Sequence, residues 1–302
     1  MADAAVRLEV NEEVEKSGNA SSVITASLAG QCLAEFIGTF IVILCGDGSV
    51  SVAVMTSAIT GSSALDGWAV AMMWGLGVTF GIYVAGPVSG AHFNPAVTIA
   101  MTAFRGFPAK KIPAYVASQV AGAYAASALI YGIWHGFWPQ AASKLGVEIG
   151  QPGSQKLAAI FACFYPSPGL GTDAQAWAQL TTPTAFMIEV LLTAFLLLMV
   201  FALTEPDNPG LPQAGLGPLF IGLTVTATIG IGGALTMDAI NPVRDFGPRL
   251  FAYTIGFGPI AFPGPRGNEW WLYILAPIVG GLVGAAAYRF LVRRFLPRAA
   301  QS

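Results

Sequence analysis

Six stretches of this chain are each long and apolar enough to cross a lipid bilayer, which restricts it to a bundle of membrane helices. Spanning the hydrocarbon core takes about 20 mostly apolar residues. The candidates run over Leu28–Val54, Gly67–Ala85, Ile112–Trp134, Thr184–Leu203, Leu216–Gly233 and Trp270–Leu291. Only 10% of the residues are charged, against about 25% in soluble domains, so lipid surrounds most of the surface. The 36 glycines and 20 prolines suit membrane helices that pack closely and are interrupted. No basic tract of the kind that tracks phosphates is present, so no nucleic-acid partner is expected. Cys32, Cys45 and Cys163 lack metal-ligand spacing, and neither a metal, a cofactor nor a disulfide framework is expected.

Two further apolar stretches, opening at Asn94 and Asn241, are too short to span. Each runs about eleven residues, a helix of about 16 Å, or roughly half the membrane core. Both open with Asn-Pro, where asparagine caps and proline at the first helical position wastes no N–H. Their surroundings repeat. Glu35 and Glu189 each interrupt the first span of their half, and Gly-Ala-His-Phe-Asn-Pro-Ala-Val in one half faces Asp-Ala-Ile-Asn-Pro-Val-Arg in the other. Three spans per half is an odd number, so the second half enters from the opposite side and the repeats are inverted. Half-helices in inverted repeats put irregular backbone near the midplane, where it must line a cavity.

The expected organisation is a polar tail over 1–27, a channel domain over 28–294 with halves at about 28–134 and 183–294, and a short tail over 295–302. The first tail is acidic and lacks the basic-then-apolar order of a cleaved signal; Asn19-Ala20-Ser21 in it reads as a chance sequon. With a cytoplasmic N-terminus, that side holds Arg7, Lys16, Arg105, Lys110, Lys111, Arg289, Arg293, Arg294 and Arg298, and the other only Lys144, Lys156 and Arg266. The bias places both termini inside.

Ser89-Gly90-Ala91-His92-Phe93-Asn94-Pro95-Ala96-Val97 and Asn241-Pro242-Val243-Arg244-Asp245-Phe246-Gly247-Pro248 resemble the paired Asn-Pro-Ala boxes of the aquaporin superfamily. The likeness covers about residues 28 to 294 and extends to Gly-Gln-Cys-Leu-Ala-Glu ending at Glu35 and to Ser118-Gln119-Val120-Ala121-Gly122. It implies an all-α fold in which six transmembrane helices surround two re-entrant half-helices meeting at the midplane. It also implies a homotetramer in the plasma membrane with one pore per subunit. The half-helices would meet by their positive ends, with Asn94 and Asn241 donating to a passing oxygen. That arrangement orients the permeant and raises the barrier to protons and cations. The asparagines can cap at the same time, since the amide has an acceptor and a donor end.

Acids are costly inside a span, and Glu35 and Glu189 read as scaffold that accepts backbone N–H groups from the re-entrant loops. His92 is expected on the pore wall. Arg244 resembles the arginine of the family's aromatic/arginine constriction, with Trp74 and Gly230 as its expected partners. A large aromatic face opposite a glycine suits a molecule with carbons on one edge and hydroxyls on the other. Asp245 after Arg244 resembles the marker of the aquaglyceroporin branch and is expected to fix loop geometry one turn from Arg249. The long connection over roughly 135–182 also resembles that branch's outer loop.

Two residues depart from the pattern. Val243 replaces the alanine of the second box, for which a packing adjustment is expected. Asp238 stands where glycerol facilitators carry an aromatic residue. Either it lines the constriction, making it wider and more polar and pairing with Arg244, or it points into the loop and accepts backbone N–H groups.

The function expected is a passive channel for glycerol, water and other small neutral solutes, and not an enzyme, since no nucleophile–base set, metal cluster or phosphate loop is present. Facilitators tuned to urea, ammonia or neutral metalloid hydroxides remain open because of Asp238. A secondary active transporter would need coupling-ion ligands beyond the two glutamates assigned to scaffold.

Overall fold

The computed structural model describes residues 26–297. The two tails therefore lie largely outside the described residues, as do the sequon at 19–21 and Arg7, Lys16 and Arg298. Six helices are long and apolar enough to cross a membrane. In chain order the membrane elements are α1 (Leu28–Thr60), α2 (Gly67–Ser89), α3 (Pro95–Arg105), α4 (Ile112–Ile133), α5 (Thr182–Leu203), α6 (Gly217–Thr236), α7 (Pro242–Ala252) and α8 (Glu269–Ala287). The eleven-residue α3 and α7 are the two half-helices. All regular structure among the described residues is helical.

The spans are apolar almost all round, as helices must be when one face meets lipid and the other meets protein. Leu33, Ile37, Phe80, Val84, Ile133, Leu191, Ile231 and Val283 are exposed, an apolar surface suited to a bilayer. Inside, α1 packs on α2 and α4, α5 packs on α6 and α8, and α2 meets α6 between the halves. The half-helices cross over, with α3 against α8 and α7 against α4. Each repeat thus holds the other's half-helix in place.

Glycine permits the closest crossings. A Cβ at Gly122 on α4 would lie 2.3 Å from the Phe36 carbonyl oxygen of α1, and one at Gly280 on α8 would lie 2.4 Å from the Val190 carbonyl oxygen of α5. These are equivalent crossings in the two repeats, and both serve packing within the chain.

The connection between α4 and α5 is far from structureless. It carries short helices at Trp138–Leu145 and Ala174–Gln179, and its Leu157–Tyr165 stretch is buried. Trp138, Ile160 and Phe161 pack there with Phe251 at the end of α7 and Phe257 just beyond it.

Candidate conduction pore

Each half-helix begins where an asparagine leaves extended backbone. Asn94 and Asn241 have φ of -154° and -150°, and their Oδ1 atoms accept from Ala96 N and Val243 N at 2.8 and 3.0 Å. Pro95 and Pro242 follow at the first helical position. The amide ends cross to the other repeat: Asn94 Nδ2 donates to the Ile240 carbonyl at 2.9 Å and Asn241 Nδ2 to the Phe93 carbonyl at 2.9 Å. One hydrogen of each amide remains beyond that bond.

The backbone leading into both asparagines repeats its strain. Three residues before each, φ is 54° at Ala91 and 50° at Asp238; one residue before, it is 52° at Phe93 and 42° at Ile240. Non-glycine residues avoid this region, most of all β-branched ones such as isoleucine, at a cost of about 1–3 kcal/mol each. The two buried glutamates meet that cost. Glu35 Oε1 accepts from His92 N at 2.9 Å and Ser89 Oγ at 2.7 Å, and Oε2 from Phe93 N at 2.8 Å and Gln119 Nε2 at 2.7 Å. Glu189 accepts from Ala239 N at 3.0 Å and Ile240 N at 2.8 Å. In both repeats the carboxylate takes the N–H groups two and one residues ahead of the asparagine. Hydrogen bonds to a charged acceptor are worth about 1.5–3 kcal/mol each, enough to offset the strain.

Between the halves lies a cavity of about 150 Å³ lined by Asn94, Asn241, His92, Trp74, Asp238 and Arg244 among others. The apolar side chains of Val97, Met101, Val200, Val225 and Ile229 also line it. His92 places Nδ1 3.2 Å from Thr98 Oγ1 and its ring 4.7 Å from that of Phe107. Ala96 and Val243, the third residues of the two boxes, are buried, Val243 within the central apolar cluster.

At one end of the cavity the Arg244 guanidinium lies 4.3 Å from the centre of the Trp74 ring. Gly230 does not complete this constriction. It is exposed on α6, with nothing within 4 Å of where its Cβ would be, while Val225 and Ile229 line the cavity. The cause is helix period: residues four apart share a face and the next residue turns about 100° away. Gly230 is therefore not among the residues that line the cavity, where α6 contributes Val225 and Ile229 instead.

Asp238 lines the cavity with Oδ2 accepting from Thr228 Oγ1 at 2.9 Å and Oδ1 unpartnered. It accepts no backbone N–H among the described residues. The carboxylate that does approach Arg244 is Asp47, whose Oδ1 lies 4.0 Å from Nη1. Asp47 was missed in the sequence, although an acid flanked by Gly46 and Gly48 inside an apolar span is the same signal that singled out Glu35.

Asp245 faces away from the cavity. Its Oδ2 accepts from Arg249 Nε at 2.7 Å, and its Oδ1 from Arg249 Nη2 at 2.9 Å and from Cys163 N at 2.7 Å. Arg249 also donates to the Ala261 carbonyl at 2.7 Å. The pair staples the α4–α5 connection to the half-helix α7.

Comparison with known proteins agrees with this geometry. The family model described as Major intrinsic protein matches residues 22–288. The glycerol uptake facilitator protein of Pseudomonas aeruginosa is 42% identical over 277 residues, 91% of this chain and 93% of that one. The glycerol uptake facilitator protein of Escherichia coli K12 is 40% identical over 274 residues, 90% and 92% of the two chains. The propanediol uptake facilitator of Citrobacter freundii is 38% identical over 272 residues, 90% and 95%. The X-ray structure of the aquaglyceroporin from Plasmodium falciparum superposes with a TM-score of 0.73 at 28% identity, covering 89% of this chain and 99% of that one. With two capped half-helices meeting inside six spans, the chain belongs to the major intrinsic protein family.

Proposed function

We propose that the chain is a passive pore for glycerol and other small neutral solutes, together with water, and that it excludes ions and protons. The observation that carries this is the mixed lining of the cavity. Amide and guanidinium groups of Asn94, Asn241 and Arg244 share its lining with aliphatic side chains that include Ile229 and Val225. A polyol matches such a passage, its hydroxyls exchanging water for the donors and its carbons lying along the aliphatic side. The facing positive ends of α3 and α7 oppose protons and cations at the waist. Its relatives named as glycerol facilitators, at 40–42% identity over nine-tenths of the chain, support the same solute.

Within this reading Arg244, Trp74 and Asp238 form the selective constriction. The two asparagines orient the solute, His92 contributes to the wall, and Glu35, Glu189 and Asp245 are scaffold. The bias of basic residues supports cytoplasmic termini in a plasma membrane, and the family supports a homotetramer. A second reading, urea or a neutral hydroxide as preferred solute, is favoured by Asp238, which adds a carboxylate to the cavity lining.

Stopped-flow light scattering on reconstituted liposomes tests both. Shrinkage in glycerol followed by re-swelling much faster than in protein-free vesicles is the expected result. Water flux without re-swelling in glycerol would refute the solute assignment, and faster re-swelling in urea than in glycerol would favour the second reading.

A further inference from the structure

Arg244 has one acid within reach and a second that it does not touch. Asp47 is fully buried in α1 with Oδ1 4.0 Å from Arg244 Nη1. Neither Asp47 oxygen accepts a hydrogen bond and Nη1 donates none among the described residues. The separation is too long for a hydrogen bond, yet unlike charges attract strongly at this range where water is excluded. Gly46 creates the arrangement, since a Cβ there would lie 2.3 Å from carbons of the Trp74 indole. Trp74 thus packs against the α1 backbone and Arg244 packs on Trp74.

The other nearby charges are engaged. Asp245 is held by Arg249, and Glu189 by the Ala239 and Ile240 N–H groups. Besides Asp47, Asp238, which lines the cavity as Arg244 does, keeps an unpartnered oxygen among the described residues. It makes no ion pair with Arg244 at 4.0 Å or less, the separation that Asp47 reaches.

We propose that Asp47 is a positioning residue that sets the specificity of the constriction. Its charge draws Arg244 back against Trp74 and away from Asp238, which leaves the arginine's remaining donors to the solute. The inference rests on the reading of the cavity as a solute pore. Without the Asp47 charge, Asp238 becomes the arginine's nearest free acid, and their pairing joins two residues of the cavity wall and closes the slot.

The test compares water and glycerol permeability of liposomes holding wild type, Asp47→Asn, Asp47→Glu, and Asp47→Asn combined with Asp238→Asn. Asp47→Asn keeps the shape and is expected to lower glycerol permeability by about tenfold or more through loss of one close charge, with a smaller loss for water. Adding Asp238→Asn brings glycerol entry up to the level of the Asp238→Asn single variant, measured alongside, because the competing acid is gone. Asp47→Glu keeps the charge and retains most of the glycerol flux. Wild-type glycerol rates in Asp47→Asn would overturn the proposal. So would a loss that Asp238→Asn does not rescue, or equal losses in the Asn and Glu variants, which would assign the position to packing. Wild-type vesicles that pass water and no glycerol would refute the solute assignment instead, and the loss and rescue would then be read on water.

Discussion

Asn94 on one half-helix donates to the carbonyl of Ile240, the residue that precedes the other half-helix, at 2.9 Å. The Asn241 amide returns the same bond to Phe93. Each asparagine therefore caps its own helix with oxygen and ties the opposite loop with nitrogen. Exchanging either for aspartate keeps the cap and removes the tie, setting a carboxylate oxygen against a carbonyl. Asn94→Asp or Asn241→Asp should destabilise the protein by about 2 kcal/mol, and cut water and solute flux at least about tenfold through the distorted waist. Thermal unfolding in detergent and vesicle flux check the two parts separately.

Glu35 receives four donors and Glu189 two backbone donors. Glutamine at either place turns one acceptor into a donor that faces an N–H. Glu35→Gln is expected to cost about 2–4 kcal/mol and Glu189→Gln less, read as lower melting temperature and lower yield of folded protein. Equal and negligible shifts would show that the loops hold their left-handed backbone unaided.

Ile229 lines the cavity with Trp74, and Gly230 does not. Gly230→Leu should leave glycerol permeability unchanged, while Ile229→Gly opens the slot and admits longer polyols such as erythritol or xylitol. Re-swelling rates across a polyol series check this. A block by Gly230→Leu would return that residue to the pore.

Arg249 is fully buried and joins Asp245, the Ala261 carbonyl and the α4–α5 connection. Arg249→Met leaves Asp245 as an uncompensated buried charge, a loss of about 3–5 kcal/mol. Faster proteolysis between residues 146 and 181 together with a lower melting temperature is the expected signature. Replacing both partners with apolar residues should recover part of the loss.

The spans, the inverted repeat and the half-helix lengths were legible because each follows from a one-dimensional rule: apolar length, and Asn-Pro as a helix start. Glu35 and Glu189 stood out because carboxylates in apolar runs are costly. What local pattern could not supply was register across a gap. The stretch from Ile229 to Asp238 has no Asn-Pro-like anchor of its own, so placing glycine on the pore erred by one residue, which on a helix changes the face. Asp47 carried a legible signal that was passed over. Its partner Arg244 lies far along the chain, and only the fold joins them through the Trp74 ring packed on Gly46. The burial of Leu157–Tyr165 was likewise hidden, since it depends on contacts with Phe251 and Phe257 from the other repeat.

The central claim is that solute moves through the cavity between the half-helices without coupling to an ion. Tracer glycerol exchange in liposomes, measured from low to high glycerol and with or without an imposed proton or sodium gradient, addresses it most directly. The account predicts a rate that grows in proportion to concentration, is the same in both directions, and ignores the gradient. Saturation at low concentration, or accumulation driven by either gradient, would contradict it and mark the chain as a carrier.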